Sequence, residues 1–92
     1  MTIPTSTMVA TSPDLTLADL GDEAVVMDPS TGKYFGLNAV GTRILSLAAE
    51  PIPLDELIEQ LLAEYDVPLD VLTRDVTAFV ADLTQRGILI TL

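Results

Sequence analysis

Leu54, Leu57, Ile58, Leu61 and Leu62 recur at i, i+3, i+4, i+7 and i+8, the spacing of one face of an α-helix. Asp55 and Glu56 stand in the first turn of that helix, where its dipole favours negative charge. Pro51-Ile52-Pro53 separates it from an earlier stripe, Val40, Ile44, Leu45 and Ala48. Asn38, just before that stripe, has a side chain able to accept an orphan backbone N–H, so it is the predicted N-cap. After a break at Tyr65-Asp66-Val67-Pro68, a third helix is predicted from Leu69 to Arg86. Leu72, Val76, Phe79, Val80 and Leu83 form its buried stripe, and Gly87 lies just past its end.

The N-terminal half has a different period. Met8-Val9-Ala10 is apolar enough for a short strand, while Leu15, Leu17 and Leu20 fit a strand, a turn of helix or a packed loop. Glu23 to Asp28 is a short run of β-branched and apolar residues. Pro29-Ser30-Thr31-Gly32 supplies turn chemistry, and Lys33-Tyr34-Phe35-Gly36-Leu37 completes a predicted β-hairpin. Phe35 and Leu37 share one face of the second strand, taken as the core face; Tyr34 and Gly36 share the other. Ile88-Leu89-Ile90 reads as a short strand or an apolar anchor. The Thr-, Ser- and Pro-containing residues 1–7 read as a flexible tail, and residues 8–92 as one α+β domain.

Composition narrows the chemistry. The 92 residues include no Cys and no His, which removes disulfides, thiolate nucleophiles, the commonest general base and the commonest transition-metal ligands. Fourteen acidic residues against four basic ones give a net charge of −10. Lys33, Arg43, Arg74 and Arg86 are too few and too scattered to bind a phosphate backbone, and the same balance disfavours an anionic membrane surface. Acidity suits a basic or neutral polypeptide partner, or simply keeps a small apolar domain in solution. The first 32 residues hold no Lys or Arg, so a signal peptide's basic region is missing, and no run reaches the ~20 apolar residues of a membrane span. A cytoplasmic location is the expectation.

Any enzyme built on this chain would depend on carboxylates, hydroxyls or Lys33. Asp55, Glu56 and Glu59 cluster on the second helix but read as its solvated face. Gly32, Gly36 and Gly41 form no phosphate-binding loop, and no calcium-loop spacing is present. Ser46 lies inside a helix stripe and lacks the Asp-Ser-Leu setting of an acyl carrier. Strands followed by three helices also suit a winged helix, yet Asp70, Asp75 and Asp82 on the third helix would meet DNA phosphates. No catalytic residue, metal site or cofactor is therefore assigned. A peptide-binding edge remains: Lys33–Leu37 could pair with an added strand, or be paired wholly within its own sheet.

The order of these segments carries a resemblance. Asp28-Pro29-Ser30-Thr31-Gly32-Lys33-Tyr34-Phe35-Gly36-Leu37-Asn38 resembles the hairpin of the PqqD-like family, the RiPP recognition elements. Thr42-Arg43-Ile44-Leu45 is similar to the family's first helix, Arg74 to Leu83 to its third, and Gly87-Ile88-Leu89 to its end. The aromatic pair before Gly36-Leu37-Asn38 is most similar to the lasso-peptide subgroup, although Phe35 stands where that subgroup often has Trp.

The resemblance implies a winged-helix-like domain, a three-stranded antiparallel β-sheet followed by three α-helices. It implies a non-catalytic adaptor that binds the leader region of a ribosomally made precursor peptide. The implied partners are that leader and a stand-alone, transglutaminase-like leader peptidase, with the cyclase as a further candidate. A winged-helix domain in protein–protein assembly or transcription is the alternative. The implied leader-binding residues are Lys33, Tyr34, Phe35, Gly36 and Leu37 on the augmented strand. On the third helix they are Val71, Arg74, Asp75, Ala78 and Asp82, with Ala78 leaving room for an apolar leader side chain.

Overall fold

The computed structural model describes residues 4–13, 15, 17–19, 23–28 and 31–92, excepting the side chains of Leu17, Asp19 and Phe35. Along them run β1 (Met8–Thr11), β2 (Leu17–Asp19), β3 (Ala24–Met27), β4 (Tyr34–Leu37) and α1 (Ala39–Leu47). β5 (Ile52–Pro53), α2 (Leu54–Glu64), α3 (Leu69–Gln85) and β6 (Leu89–Thr91) follow. The predicted architecture is present: the antiparallel meander β2-β3-β4 precedes three helices. Of the ambiguous leucines, Leu17 begins β2, while Leu20 lies outside the described residues, as do Pro29 and Ser30 of the hairpin turn.

A second antiparallel sheet, ordered β5-β1-β6, joins segments that read separately in the sequence. Val9 stands between Ile52 and Thr91, so β1 fastens the start of α2 to the end of the chain. β5 is only two residues long, one of them a proline that donates no ladder hydrogen bond. A segment so short has no periodicity, which is why Pro51-Ile52-Pro53 read only as a helix stop.

The helix ends are satisfied by neighbours. Asn38 caps α1, its Oδ1 accepting from the Gly41 amide at 2.9 Å. At the other end of α1, the carbonyls of Leu45 and Ala48 accept from the Thr11 hydroxyl and amide. α2 has no side-chain cap at Pro53; instead the amides of Leu54 and Asp55 donate to the carbonyls of Thr7 and Thr5. Thr5 and Thr7, assigned from sequence to the tail, are thus hydrogen-bonded to the domain. α3 ends as predicted around Arg86 and Gly87. Gly87 takes φ +77°, its amide donates to Thr84, and the Ile88 amide donates to Leu83, the paired bonds of a Schellman motif.

The core lies where the three helical stripes meet the sheets. Ile44, Leu45 and Ala48, then Leu54, Leu57, Ile58 and Leu61, then Leu72, Val76, Val80 and Leu83 are buried with Val9, Val26 and Leu37. Leu62 departs from its predicted stripe: this last leucine of α2 rotates to the surface. Val40 and Phe79 are only half-buried. Among the described residues, no helix is long and apolar enough to cross a membrane.

Candidate functional site

β4 is an edge strand, with β3 as its one strand neighbour among the described residues. Its register places Ala24 opposite Leu37, Val25 opposite Gly36, Val26 opposite Phe35 and Met27 opposite Tyr34. Ala24, Val26 and Leu37 are buried, so their side is the core face; Tyr34, on the other side, is 64% exposed. Leu37 therefore lies as predicted, while the Phe35 side chain is outside the described residues.

A cleft of about 450 Å³ opens beside this strand. Gly36 and Leu37 of β4 form one wall, with Asn38, Val40, Gly41 and Ile44 from the start of α1. Tyr65 and Val67, in the connection between α2 and α3, close one end. Val71, Leu72, Asp75, Val76 and Phe79 of α3 form the opposite wall. The lining is mostly apolar, and Asp75 is its one charged residue.

Gly41 explains how the floor of the cleft is built. Glycine costs a helix interior about 0.5–1 kcal/mol relative to alanine. Here a Cβ would stand 3.0 Å from Cζ of Phe79 and 3.3 Å from its Cε1, so the bare Cα gives the ring its seat. That close approach brings α3 against α1.

The predicted α3 residues divide. Val71 and Asp75 line the cleft with Gly36 and Leu37. Arg74 and Ala78 instead line a separate, shallower depression with Leu69, Asp70, Thr73 and Thr77. Asp82 is engaged elsewhere, accepting from Nε of Arg86 at 3.2 Å. The physical reason is ridge geometry: the cleft follows the row 71, 75, 79, spaced by four and inclined to the helix axis. Sequence spacing alone favoured the row 71, 75, 78, 82. Val40, Gly41, Tyr65, Val67 and Phe79 were not singled out for the site. The signal for two of them, Gly41 and the Phe79 ring seated on it, is a glycine inside a helical stripe, which the sequence reading passed over.

Ion pairs brace the surrounding frame. Nε and Nη2 of Arg43 on α1 hold the Glu64 carboxylate of α2 at 2.8–3.1 Å. The guanidinium hydrogen bonds hold the Glu64 carboxyl below the usual glutamate range, and the same pairing raises Arg43. Arg86 is raised chiefly by its hydrogen bond to Asp82, with Asp28 contributing less. Arg74 lies 3.5 Å from Asp75, both side chains largely exposed.

A family model described as Coenzyme PQQ synthesis protein D (PqqD) matches residues 23–89. The chain belongs to the PqqD family. Every residue lining the cleft falls inside the matched segment. The solved structure of TbiB1 in complex with the TbiA(beta) leader peptide is 36% identical to this PqqD-family chain, covering 87% of it and 93% of TbiB1, with a TM-score of 0.77. A lasso peptide synthetase B1 complexed with its leader peptide is 24% identical over 89% of this chain and 96% of that one. Its TM-score of 0.68 shows the same fold. No curated protein matches the chain.

Proposed function

We propose that this PqqD-family chain is a non-catalytic adaptor in lasso-peptide biosynthesis. It binds the leader segment of a ribosomally made precursor peptide and presents it to a separate leader peptidase and cyclase in the cytoplasm. The carrying observation is the open edge of β4 beside an apolar cleft walled by α3. A leader strand antiparallel to β4 would pair with its outward amides and carbonyls, each hydrogen bond contributing about 0.5–1.5 kcal/mol net. Its apolar side chains would enter the cleft between Gly36 and Leu37 on one wall and Val71, Asp75 and Phe79 on the other. The 36% identity to a protein solved with a leader peptide supports the same reading. So does a chain without His or Cys, which has few means of peptide cleavage.

Calorimetry with the two synthetic halves of the protein's cognate precursor peptide tests the proposal. The leader half is expected to bind and the core half not; equal affinity for both would overturn it. Incubating the purified protein with whole precursor checks the adaptor role separately. Mass spectrometry should find the precursor intact, and leader cleavage by the pure protein would refute non-catalysis.

A further inference from the structure

Asp28 opens the hairpin turn between β3 and β4, and at 3% exposure it is the one buried charged side chain among the described residues. Removing a carboxylate from water is costly unless it is paired. Its Oδ2 lies 3.3 Å from Nη1 of Arg86, which caps the far end of α3. Nε of the same guanidinium donates to Asp82, one turn back on α3. Asp82 thus orients Arg86 on its own helix, and Arg86 reaches from that helix to the hairpin.

The placement matters because β4 is only four residues long. Its Leu37 end is fixed by the Asn38 cap of α1 and by the seat of Phe79 on Gly41. Its Tyr34 end follows the turn that Asp28 opens, and there Arg86 joins the hairpin to α3. The strand is therefore held at both ends against the helix that forms the other wall of the cleft. Screening is reduced at this second tie because the carboxylate side of the pair is buried.

We propose that Asp82, Arg86 and Asp28 form a positioning device that sets the turn end of β4 relative to α3, and with it the fit of the leader strand between them. The inference rests on the leader-binding reading above. None of the three residues lines the cleft. Their effect on affinity acts through β4.

The test uses a fluorescent leader half of the precursor, titrated by anisotropy into the wild type, Arg86→Gln, and the double variant Asp28→Asn with Arg86→Gln. The double variant leaves no uncompensated buried charge, so it keeps the test valid if Arg86→Gln alone unfolds. Hydrogen exchange at the Phe35 and Leu37 amides, which face β3, is followed in parallel. The expected result is at least tenfold weaker leader binding with those amides still protected, and Asp82→Ala should give a smaller loss of the same kind. Wild-type binding in a folded variant would overturn the positioning role while leaving the adaptor reading intact. An affinity loss that only tracks loss of amide protection would also overturn it, as general destabilisation. A wild-type protein that binds no leader would overturn the adaptor reading and this inference together.

Discussion

The amide of Asp28 donates to the carbonyl of Lys33 at 2.8 Å, one step beyond the opposed Met27 and Tyr34, and so sets the phase of the β3–β4 ladder. Hydrogen-bonded and non-hydrogen-bonded pairs alternate in an antiparallel ladder. Phe35 and Leu37 therefore turn their backbone polar groups towards β3, while Tyr34 and Gly36 turn theirs to the open edge. Side-chain direction could not settle this from the sequence; one hydrogen bond does. Proline removes an N–H and fixes φ, so its effect should alternate along the strand. Gly36→Pro meets open space at its Cβ and needs no positive φ, so the domain should stay folded. It should lose leader binding at least tenfold, about 1.4 kcal/mol. Tyr34→Pro should behave alike, whereas Phe35→Pro and Leu37→Pro should unfold the hairpin. Melting curves beside binding titrations check the alternation, and equal effects at all four positions would refute it.

Gly41 and Phe79 make a prediction in which stability and binding part company. Alanine at 41 gains helix propensity of up to about 1 kcal/mol. Its Cβ would press on the Phe79 ring and on Oδ1 of the Asn38 cap, 3.4 Å away. The ring has the cleft to move into. Gly41→Ala should melt within about 1 kcal/mol of wild type yet bind the leader several-fold more weakly. Adding Phe79→Leu should recover part of the affinity by returning room. Unchanged affinity in Gly41→Ala would show that the leader does not reach this floor.

Much of this was legible in the sequence because the strong periods carried it. The three helices, the Asn38 cap, the Gly87 stop and the hairpin follow from local rules acting over a few residues. The resemblance identified the family from the order of short motifs. The second sheet was not legible, because β5 and β6 are two and three residues long and pair with β1 across most of the chain. The cleft was half legible: Val71 and Asp75 fall on its wall, but the inclination of α3 against β4 decides whether the next turn offers Ala78 or Phe79. That placement is a matter of tertiary packing, in which the Phe79 ring sits against the bare Cα of Gly41. The Arg86–Asp28 contact was hidden for the same reason, since it crosses the fold from α3 to the hairpin.

The Arg43–Glu64 pair predicts a pH dependence with a definite sign. Arg43 holds the Glu64 carboxyl below the usual range in the folded protein. A lowered folded value contributes stability above the unfolded pKa, about 4.3 for glutamate, and loses it as pH falls through the folded one. Arg43→Gln should therefore melt below wild type at neutral pH, and the gap should close as pH is lowered below about 4. Both groups are well solvated, so the gap at neutral pH should be small and shrink with added salt. Thermal melts of both proteins from pH 7 to pH 3 check this, and a gap that persists at the acid end would contradict it.

The last prediction locates the leader on α3. Val71 lines the cleft, Ala78 lies in the outer depression, and Leu83 belongs to the core. Glutamate at 71 would place a charge on the apolar wall, where a leader side chain would have to displace its water. Val71→Glu should weaken leader binding at least tenfold while the domain still folds. Ala78→Glu should bind within about twofold of wild type, a difference of about 0.4 kcal/mol, because Ala78 lines the outer depression and not the cleft. Leu83→Ala should cost about 2–5 kcal/mol of stability as a core truncation, yet bind normally in the fraction that stays folded. The three variants thus separate wall, outer face and core through one titration and one melt each. If Ala78→Glu loses binding and Val71→Glu keeps it, the leader lies along the row 71, 75, 78, 82, and the cleft beside β4 is not its seat.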